Sequence, residues 1–342
     1  MKKICTYENA ENAYNLAKAG KRFRPEVLKF EREREVNLLK AVDDLKNITY
    51  SPGSYFVFKV WEPKERVIMA LPFYDRVIQH MIVNKIRPIF ESRMIQQSYA
   101  CREGKGIHAA SAKLAAWLYD LQVVKKKKIY ALSGDIHHYF ESVDQEILKK
   151  EIRRYIGDEK LLKILDDIIE HNGIWSEGKG IPVGNLTSQL FANVYLNILD
   201  QYVKHQLKEH YYIRYMDNFI ILQEDIGRLR EDMKKIADFV SKRLKLQLNE
   251  KSCIIAAKNG VDFVGYRHFP GFTIMRKNAT RKITKLIREL ESGEVGIEEF
   301  DKRMESKLGH MQHADTYKLR KNLRKKIKSI KKEMQKNGAG ME

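Results

Sequence analysis

The chain has 342 residues, 43% of them hydrophobic and 32% charged, so it can bury a sizeable core beneath a heavily charged surface. Lys and Arg total 64 against 45 Asp and Glu, a formal net charge of +19, and such an excess favours a polyanionic partner through counterion release. Three distant cysteines (Cys5, Cys101, Cys253) with no CxxC pair argue against a zinc ribbon and a disulfide framework. No apolar run approaches membrane-spanning length and the first residues lack a signal-peptide core, so the expectation is a reduced, cytoplasmic protein with no membrane partner.

Residues 8–47 carry a helical period in Leu16, Phe23, Val27, Leu28, Leu38, Leu39, Val42 and Leu45, interrupted by Gly20 and Pro25. That pattern predicts two or more short helices. After the turn at Ser51-Pro52-Gly53, residues 55–71 alternate on both sides of Glu62-Pro63-Lys64-Glu65, which predicts a hairpin. Helices are expected over 74–92 and 108–121, the second following the Gly/Lys-rich loop 102–106. The run Lys125–Lys128 then leads into a strand ending at Asp135. Helical pattern covers 144–171, and the loop Gly178–Gly184 opens a long helix over 185–208. Tyr211–Leu222 predicts two short strands around Met216-Asp217-Asn218, followed by a helix over 226–245 and short strands over 246–275. From 276 the pattern is helical and basic, with 19 Lys and Arg against 9 Asp and Glu over 276–336. Strands alternating with helices in the centre predict a mixed α/β (α+β) sheet with helices packed on it.

Two carboxylates stand out. Asp135 ends a predicted strand and Asp217 sits at a predicted hairpin tip, in RYMDNFIIL. Two strand-end carboxylates on adjacent strands can converge on a pair of Mg²⁺ ions, which take hard oxygen ligands and complete their shells with water and substrate phosphate. Such a pair activates an attacking hydroxyl and stabilises the leaving oxygen. Each residue also has a plainer reading. Asp-Asn is a favoured turn pair because both residues tolerate positive φ, and an aspartate after a strand can cap the next helix.

Taken together these segments resemble a reverse transcriptase over nearly the whole chain. Asp135-Ile-His-His-Tyr-Phe140 is similar to the first metal-binding motif of the palm, and Tyr215-Met-Asp-Asn218 to the Tyr-x-Asp-Asp box. Leu246-Gln-Leu-Asn-Glu-Lys251 resembles the following lysine-bearing motif, and Phe263-Val-Gly-Tyr266 the primer-grip strand. Gly180-Ile-Pro-Val-Gly184-Asn-Leu-Thr-Ser-Gln189 is close to the pattern of diversity-generating retroelement reverse transcriptases, where retroviral enzymes have Gln in place of Val183 and Pro in place of Gln189. Glu62–Arg66, Asp75–His80, Ser98–Arg102 and Gly309–Thr316 point the same way.

The resemblance implies a right-hand polymerase with fingers over 1–128, palm over 129–275, a basic helical thumb over 276–337 and a tail over 338–342. It implies an enzyme, an RNA-directed DNA polymerase that copies a template-repeat RNA into cDNA with errors at adenines, for mutagenic retrohoming. It further implies two Mg²⁺ ions (Mn²⁺ as substitute), deoxynucleotides, primer and template RNA as partners, and a basic helical accessory variability protein in a bacterial, archaeal or phage-encoded system. Residue by residue, Asp135, Asp217 and Asn218 carry the catalytic box, with Asp135, Asp217 and the Ile136 carbonyl as metal ligands. Lys64, Arg66, Phe140 (the steric gate), Val183, Gly184, Gln189 and Lys251 would bind the nucleotide, and Tyr215, Gly265 and Tyr266 the primer and template.

The box departs from the family in ending on Asn218, a neutral amide that coordinates only through its carbonyl oxygen. Activity is expected to survive that loss of charge, reduced or with altered metal preference. The alternatives are a related enzyme of a phage-defence or retron system, or an RNA-binding variant weakened at Asn218. The lysine run at 125–128 and the cationic tail are expected to face phosphate backbones or an accessory surface, positioning nucleic acid without reading its sequence.

Overall fold

The computed structural model describes residues 1–61, 65–171 and 173–338. In chain order the elements are α1 (Tyr7–Lys18), α2 (Pro25–Arg32), α3 (Arg34–Asn47), the hairpin β1 (Phe56–Val60) and β2 (Arg66–Ala70), α4 (Phe73–Glu91) and α5 (Ile107–Leu118). Next come β3 (Tyr130–Asp135), the single turn α6 (Tyr139–Ser142), α7 (Gln145–Arg153), α8 (Glu159–Glu170) and α9 (Leu186–Gln201). They are followed by β4 (Tyr212–Tyr215), β5 (Asn218–Gln223), α10 (Ile226–Leu244), β6 (Cys253–Ala256), β7 (Val261–Phe263), β8 (Tyr266–Phe269) and β9 (Phe272–Met275). Three helices close the chain: α11 (Lys277–Glu291), α12 (Ile297–Met311) and α13 (Tyr317–Gly338). The strands form three sheets, of order β1-β2, β4-β5-β3-β6 and β7-β8-β9.

The expected elements form, and their ends follow local chemistry. Residues 7–47 make three helices, the second opened by Pro25 at its first position, where a missing N–H costs nothing. The helical stretch from 144 divides into α7 and α8 because Asp144 and Asp158 each cap a new start, accepting from Ile147 N at 3.0 Å and Leu161 N at 3.1 Å. The long helix predicted over 185–208 leaves α-geometry after Gln201 and continues as a wider π-turn over Tyr202–Gln206. The alternation read over β1 does not translate into burial, since all five of its residues are exposed.

The chain divides into two compact units. The first comprises Met1–Gly104, Gly134–Phe219 and Glu231–Ser252. Its spine is α9, apolar on nearly every face and therefore buried, with α4 and α7 packed on it and α1 on α4. The second comprises Lys105–Ser133, Ile220–Arg230 and Cys253–Glu342. There β3 pairs antiparallel with β6, α5 packs on β8, and Ile283, Leu286, Ile287, Leu290, Phe300 and Met304 form the core among α11, α12 and α13. Among the described residues no helix is long and apolar enough to cross a membrane.

Candidate active site

The first unit holds a cleft of about 680 Å³ whose lining brings together Arg66, Phe140, Val183, Gly184, Gln189, Tyr215, Asp217 and Asn218. Eight of the residues singled out in the sequence, contributed by segments more than a hundred positions apart, thus share one concavity.

The floor is set by backbone pairing. Ile136 bridges Leu248 antiparallel, with His137 N donating to the Gln247 carbonyl (2.9 Å) and Asn249 N to the Asp135 carbonyl (2.7 Å). That pattern turns Ile136's own N–H and C=O to the opposite edge, where its N–H donates to the Asp217 carbonyl at 3.3 Å. The Asp135 carboxylate accepts from Asn249 Nδ2 at 3.0 Å, and Ser252 Oγ accepts from Asp135 N at 3.2 Å. Asp135 is therefore not a helix cap; the short helix after it starts at Tyr139, with His138 in the capping position and no side-chain cap bond. Gly134 is required because a Cβ there would fall 2.1 Å from the Phe219 ring.

Asp217 follows a sharp turn, but the left-handed residue of that turn is Met216 (φ 55°), whereas the sequence had suggested the Asp-Asn pair. Burial pushes the Asp217 carboxyl above the usual carboxylate range; the Asn218 side chain, the Arg66 charge and a hydrogen bond with Asp135 pull the other way. The Ile136 N–H bond to the Asp217 carbonyl sets the two aspartates on neighbouring stretches of backbone. Among the described residues no group of three or more His, Cys, Asp and Glu side chains forms a cage for a metal. Two carboxylates with a carbonyl edge beside them suit a hard divalent cation that keeps open positions for water and phosphate, rather than a closed protein cage.

Around this floor, the Val183 carbonyl accepts from Met69 N at 3.0 Å, tying the 180–184 loop to β2. Gly184 sits at φ 119°, where a Cβ would meet the Met69 carbonyl at 3.1 Å, so a side chain would strain both the backbone and the contact. The Phe140 carbonyl accepts from Ile181 N at 2.9 Å, which fixes the aromatic residue against the same loop. Arg66 is exposed at the mouth. Lys64 lies outside the described residues. Lys251 is exposed and does not line the cleft; its N–H donates to Asn249 Oδ1 at 3.1 Å.

Gly265 and Tyr266 belong to the second unit. The Tyr266 side chain is fully buried, its hydroxyl donating to the His310 carbonyl at 2.8 Å and lying 2.9 Å from His310 Nδ1 and 3.2 Å from His108 Nδ1. His313 stacks on His108 with ring centroids 3.6 Å apart. Of the basic run, Lys125 pairs with Asp120 and Lys127 with Glu224. Lys326 and Lys331 of the tail pair with Glu291 and Asp301.

Several residues had been given no site role in the sequence, although some lie within the quoted motifs: Cys101, His138, Glu141, Trp175, Asn185 and Ser188 line the cleft, and Asn249 and Ser252 grip Asp135. More telling is Arg214, buried in β4 opposite Asp200 of α9. The available signal was a lone arginine in the apolar run YYIRYM and a lone acid in the apolar helix NVYLNILD.

Residues 59–268 match the family model described as reverse transcriptase (RNA-dependent DNA polymerase). Protein YkfC of Escherichia coli (strain K12) is 25% identical over 234 residues, covering 56% of this chain and 60% of that protein. The group II intron-encoded protein LtrA of Lactococcus lactis subsp. cremoris is 24% identical over 231 residues, 64% of this chain and 37% of that protein. The chain thus spans less than two thirds of the length of these relatives. Among solved structures, apo telomerase from Candida tropicalis superposes with a TM-score of 0.51 at 13% identity, covering 70% of this chain and 52% of that one. The telomerase of the same organism in complex with a TWJ fragment of telomeric RNA gives 0.50 at 13% identity, covering 76% and 53%. At that identity the likeness speaks to fold alone, the mixed α/β right-hand polymerase fold expected from the sequence.

Proposed function

The chain belongs to the reverse transcriptase family, and from that premise we propose that it is an RNA-directed DNA polymerase of the diversity-generating type. The observation that carries the polymerase reading is the backbone pairing that brings Asp135 beside Asp217, at a cleft that also gathers Arg66, Phe140, Val183 and Gly184. Phosphoryl transfer asks of a protein mainly positioning and charge, and this arrangement offers both.

In this reading Asp135 and Asp217 hold two divalent cations, Mg²⁺ or Mn²⁺, with the Ile136 carbonyl as a further ligand and Asn218 adding at most its amide oxygen. The ions supply activation of a primer 3′-hydroxyl and charge neutralisation at the leaving pyrophosphate. The protein's own residues do the rest. Arg66 and Lys64 hold the incoming triphosphate, and Lys251 approaches the same phosphates. Phe140 fills the space a ribose 2′-hydroxyl would take, and Gly184 lets the nucleotide lie close to the backbone. Gln189 and Val183 border the base, Tyr215 the primer terminus, and Gly265 with Tyr266 the primer strand. The divisions at 128, 275 and 337 are our assignment of fingers, palm and thumb.

The diversity-generating subtype rests on the pattern of Val183 and Gln189. An apolar side chain borders the cleft where retroviral relatives place a hydrogen-bonding glutamine, which removes one polar check on nucleotide position. Copying of a template-repeat RNA with errors at adenines, and work with a basic helical accessory protein, are part of the same proposal.

Primer extension on an RNA template with Mg²⁺ and four deoxynucleotides, followed by sequencing, tests both levels. Asp135→Ala is expected to cut synthesis by at least about a thousandfold, since it removes several kcal/mol of charge stabilisation. Errors should cluster opposite template adenine in the parent and decline in Val183→Gln. Synthesis undiminished by Asp135→Ala would refute the polymerase assignment, and an error spectrum indifferent to both adenine and Val183→Gln would refute the subtype. A silent parent rescued by Asn218→Asp would favour the weakened-enzyme reading, which the neutral amide at the cleft supports.

A further inference from the structure

The turn that carries Asp217 is anchored from beneath by a charge buried in the first unit. Arg214 and Asp200 are both 0% exposed and form a two-pronged ion pair, Nε to Oδ1 at 2.7 Å and Nη2 to Oδ2 at 2.6 Å. The remaining guanidinium hydrogens go to Asn193 Oδ1 (3.2 Å), Ser98 Oγ (3.1 Å) and the Met216 carbonyl (2.9 Å). All five donors of the arginine are therefore used, and one of them grips the left-handed residue immediately before Asp217. The anchor is itself immobilised. Arg214 N donates to the Gln97 carbonyl at 2.9 Å, Tyr99 N to the Arg214 carbonyl at 3.0 Å, and Asn193 Nδ2 to the Ala100 carbonyl at 2.8 Å.

A buried ion pair is a poor stabiliser in itself, because desolvating both charges offsets most of their attraction and well-packed apolar residues often serve as well. What no apolar residue could replace is the donor to Met216. We propose that Arg214, oriented by Asp200, is a positioning residue that fixes the 215–218 turn so that the Asp217 carboxylate faces Asp135 and the pair can share divalent cations. The proposal rests on the metal-dependent reading of this site. Arg214 touches no reacting atom; it acts through the turn.

The test reads Mn²⁺ binding directly, from the electron paramagnetic resonance signal of free Mn²⁺ in titrations of the full chain without RNA, beside the melting midpoint. Asp135→Asn defines the site and should abolish the tight binding. Arg214→Lys keeps a positive charge beside Asp200 but has at most three donors, and Mn²⁺ affinity should fall about 10- to 100-fold, the range typical for groups that orient a ligand. Tyr212→Phe removes another bond to Asp200, at 2.7 Å, without touching the turn; it should lower the midpoint and leave Mn²⁺ affinity at the parent value. Parent affinity in Arg214→Lys, or an equal loss in Tyr212→Phe, overturns the proposal. Should Arg214→Lys not fold, Ser98→Ala decides: it frees one prong of the guanidinium and should weaken Mn²⁺ in the same direction by a smaller factor, and unchanged affinity there overturns it. Mn²⁺ bound as tightly in Asp135→Asn as in the parent removes the metal site and the proposal together. A parent that binds Mn²⁺ through Asp135 yet copies no RNA refutes the polymerase reading alone.

Discussion

The β4–β5 hairpin and the strand β8 are both held by buried polar side chains, but of opposite electrostatic kinds. Beneath the hairpin the hold is a full charge pair. Burial works against the Arg214 charge, and the Asp200 carboxylate more than offsets it, so the guanidinium pKa is raised and the cation persists at any ordinary pH. Around β8 the hold is neutral and titratable: Tyr266 meets His108 and His310, and the neighbouring His268 is fully buried against Thr273 Oγ1 at 3.2 Å. Burial holds His268 down to about 4, and burial followed by the charge of a neighbouring histidine holds His108 and His310 below their ordinary value. One network should therefore be strong, intolerant of single changes and indifferent to mild acid. The other should be softer and acid-sensitive.

Asp200→Ala offers the largest test of that contrast. It leaves Arg214 as an uncompensated buried charge, and the expected loss is about 3–5 kcal/mol in denaturant unfolding. A loss under about 1 kcal/mol would mean that water or another acid reaches Arg214, and the contrast would collapse. Next in size is Gly134→Ala, which drives a methyl into the Phe219 ring behind the hairpin; about 1–3 kcal/mol is expected from overpacking, with polymerisation falling beside stability. Tyr266→Phe, on the histidine side, removes a hydroxyl whose partners are neutral, and about 1 kcal/mol should be lost in the same unfolding assay.

The last test is the pH dependence. The folded-state pKa values of His108, His268 and His310 lie below that of an unfolded histidine, so the unfolded chain binds more protons and stability falls as pH drops. The contribution is complete above about 6.5 and is lost progressively toward about 4, the value for His268. Protection of backbone amides against hydrogen exchange should decline over Phe263–Phe269 between about pH 7 and about pH 5, while Tyr212–Phe219 keeps its own. His80, in the first unit and also held to about 4 by burial, titrates in the same window, which is why local protection and not the global midpoint must be compared. Equal decline in both segments would erase the distinction.

Much of the fold was legible because it is written in local patterns. The apolar period over 144–171 and the alternation over 55–71 need only neighbours in sequence to be read. The candidate site was legible to the extent that motifs mark it: Asp135, Asp217, Phe140, Val183 and Gly184 could be named before any contact was known. Arg214 could not, because a lone arginine in an apolar strand has no meaning until its partner is located fourteen residues earlier on the buried face of α9. Nor could the left-handed Met216, since the residue types on either side of it suit the turn equally well.

Sequence by itself thus determined the element order, the carboxylates and the family, all of which rest on residue type and spacing along the chain. Only the tertiary structure decided that Asp135 is gripped by Asn249 and Ser252, that all five donors of Arg214 are satisfied under the Asp217 turn, and that Tyr266 sits among histidines. The physical reason is that hydrogen-bond satisfaction of buried polar groups is a property of three-dimensional enclosure. Residues up to 158 positions apart complete those networks, and no periodicity in the chain encodes which of them will meet.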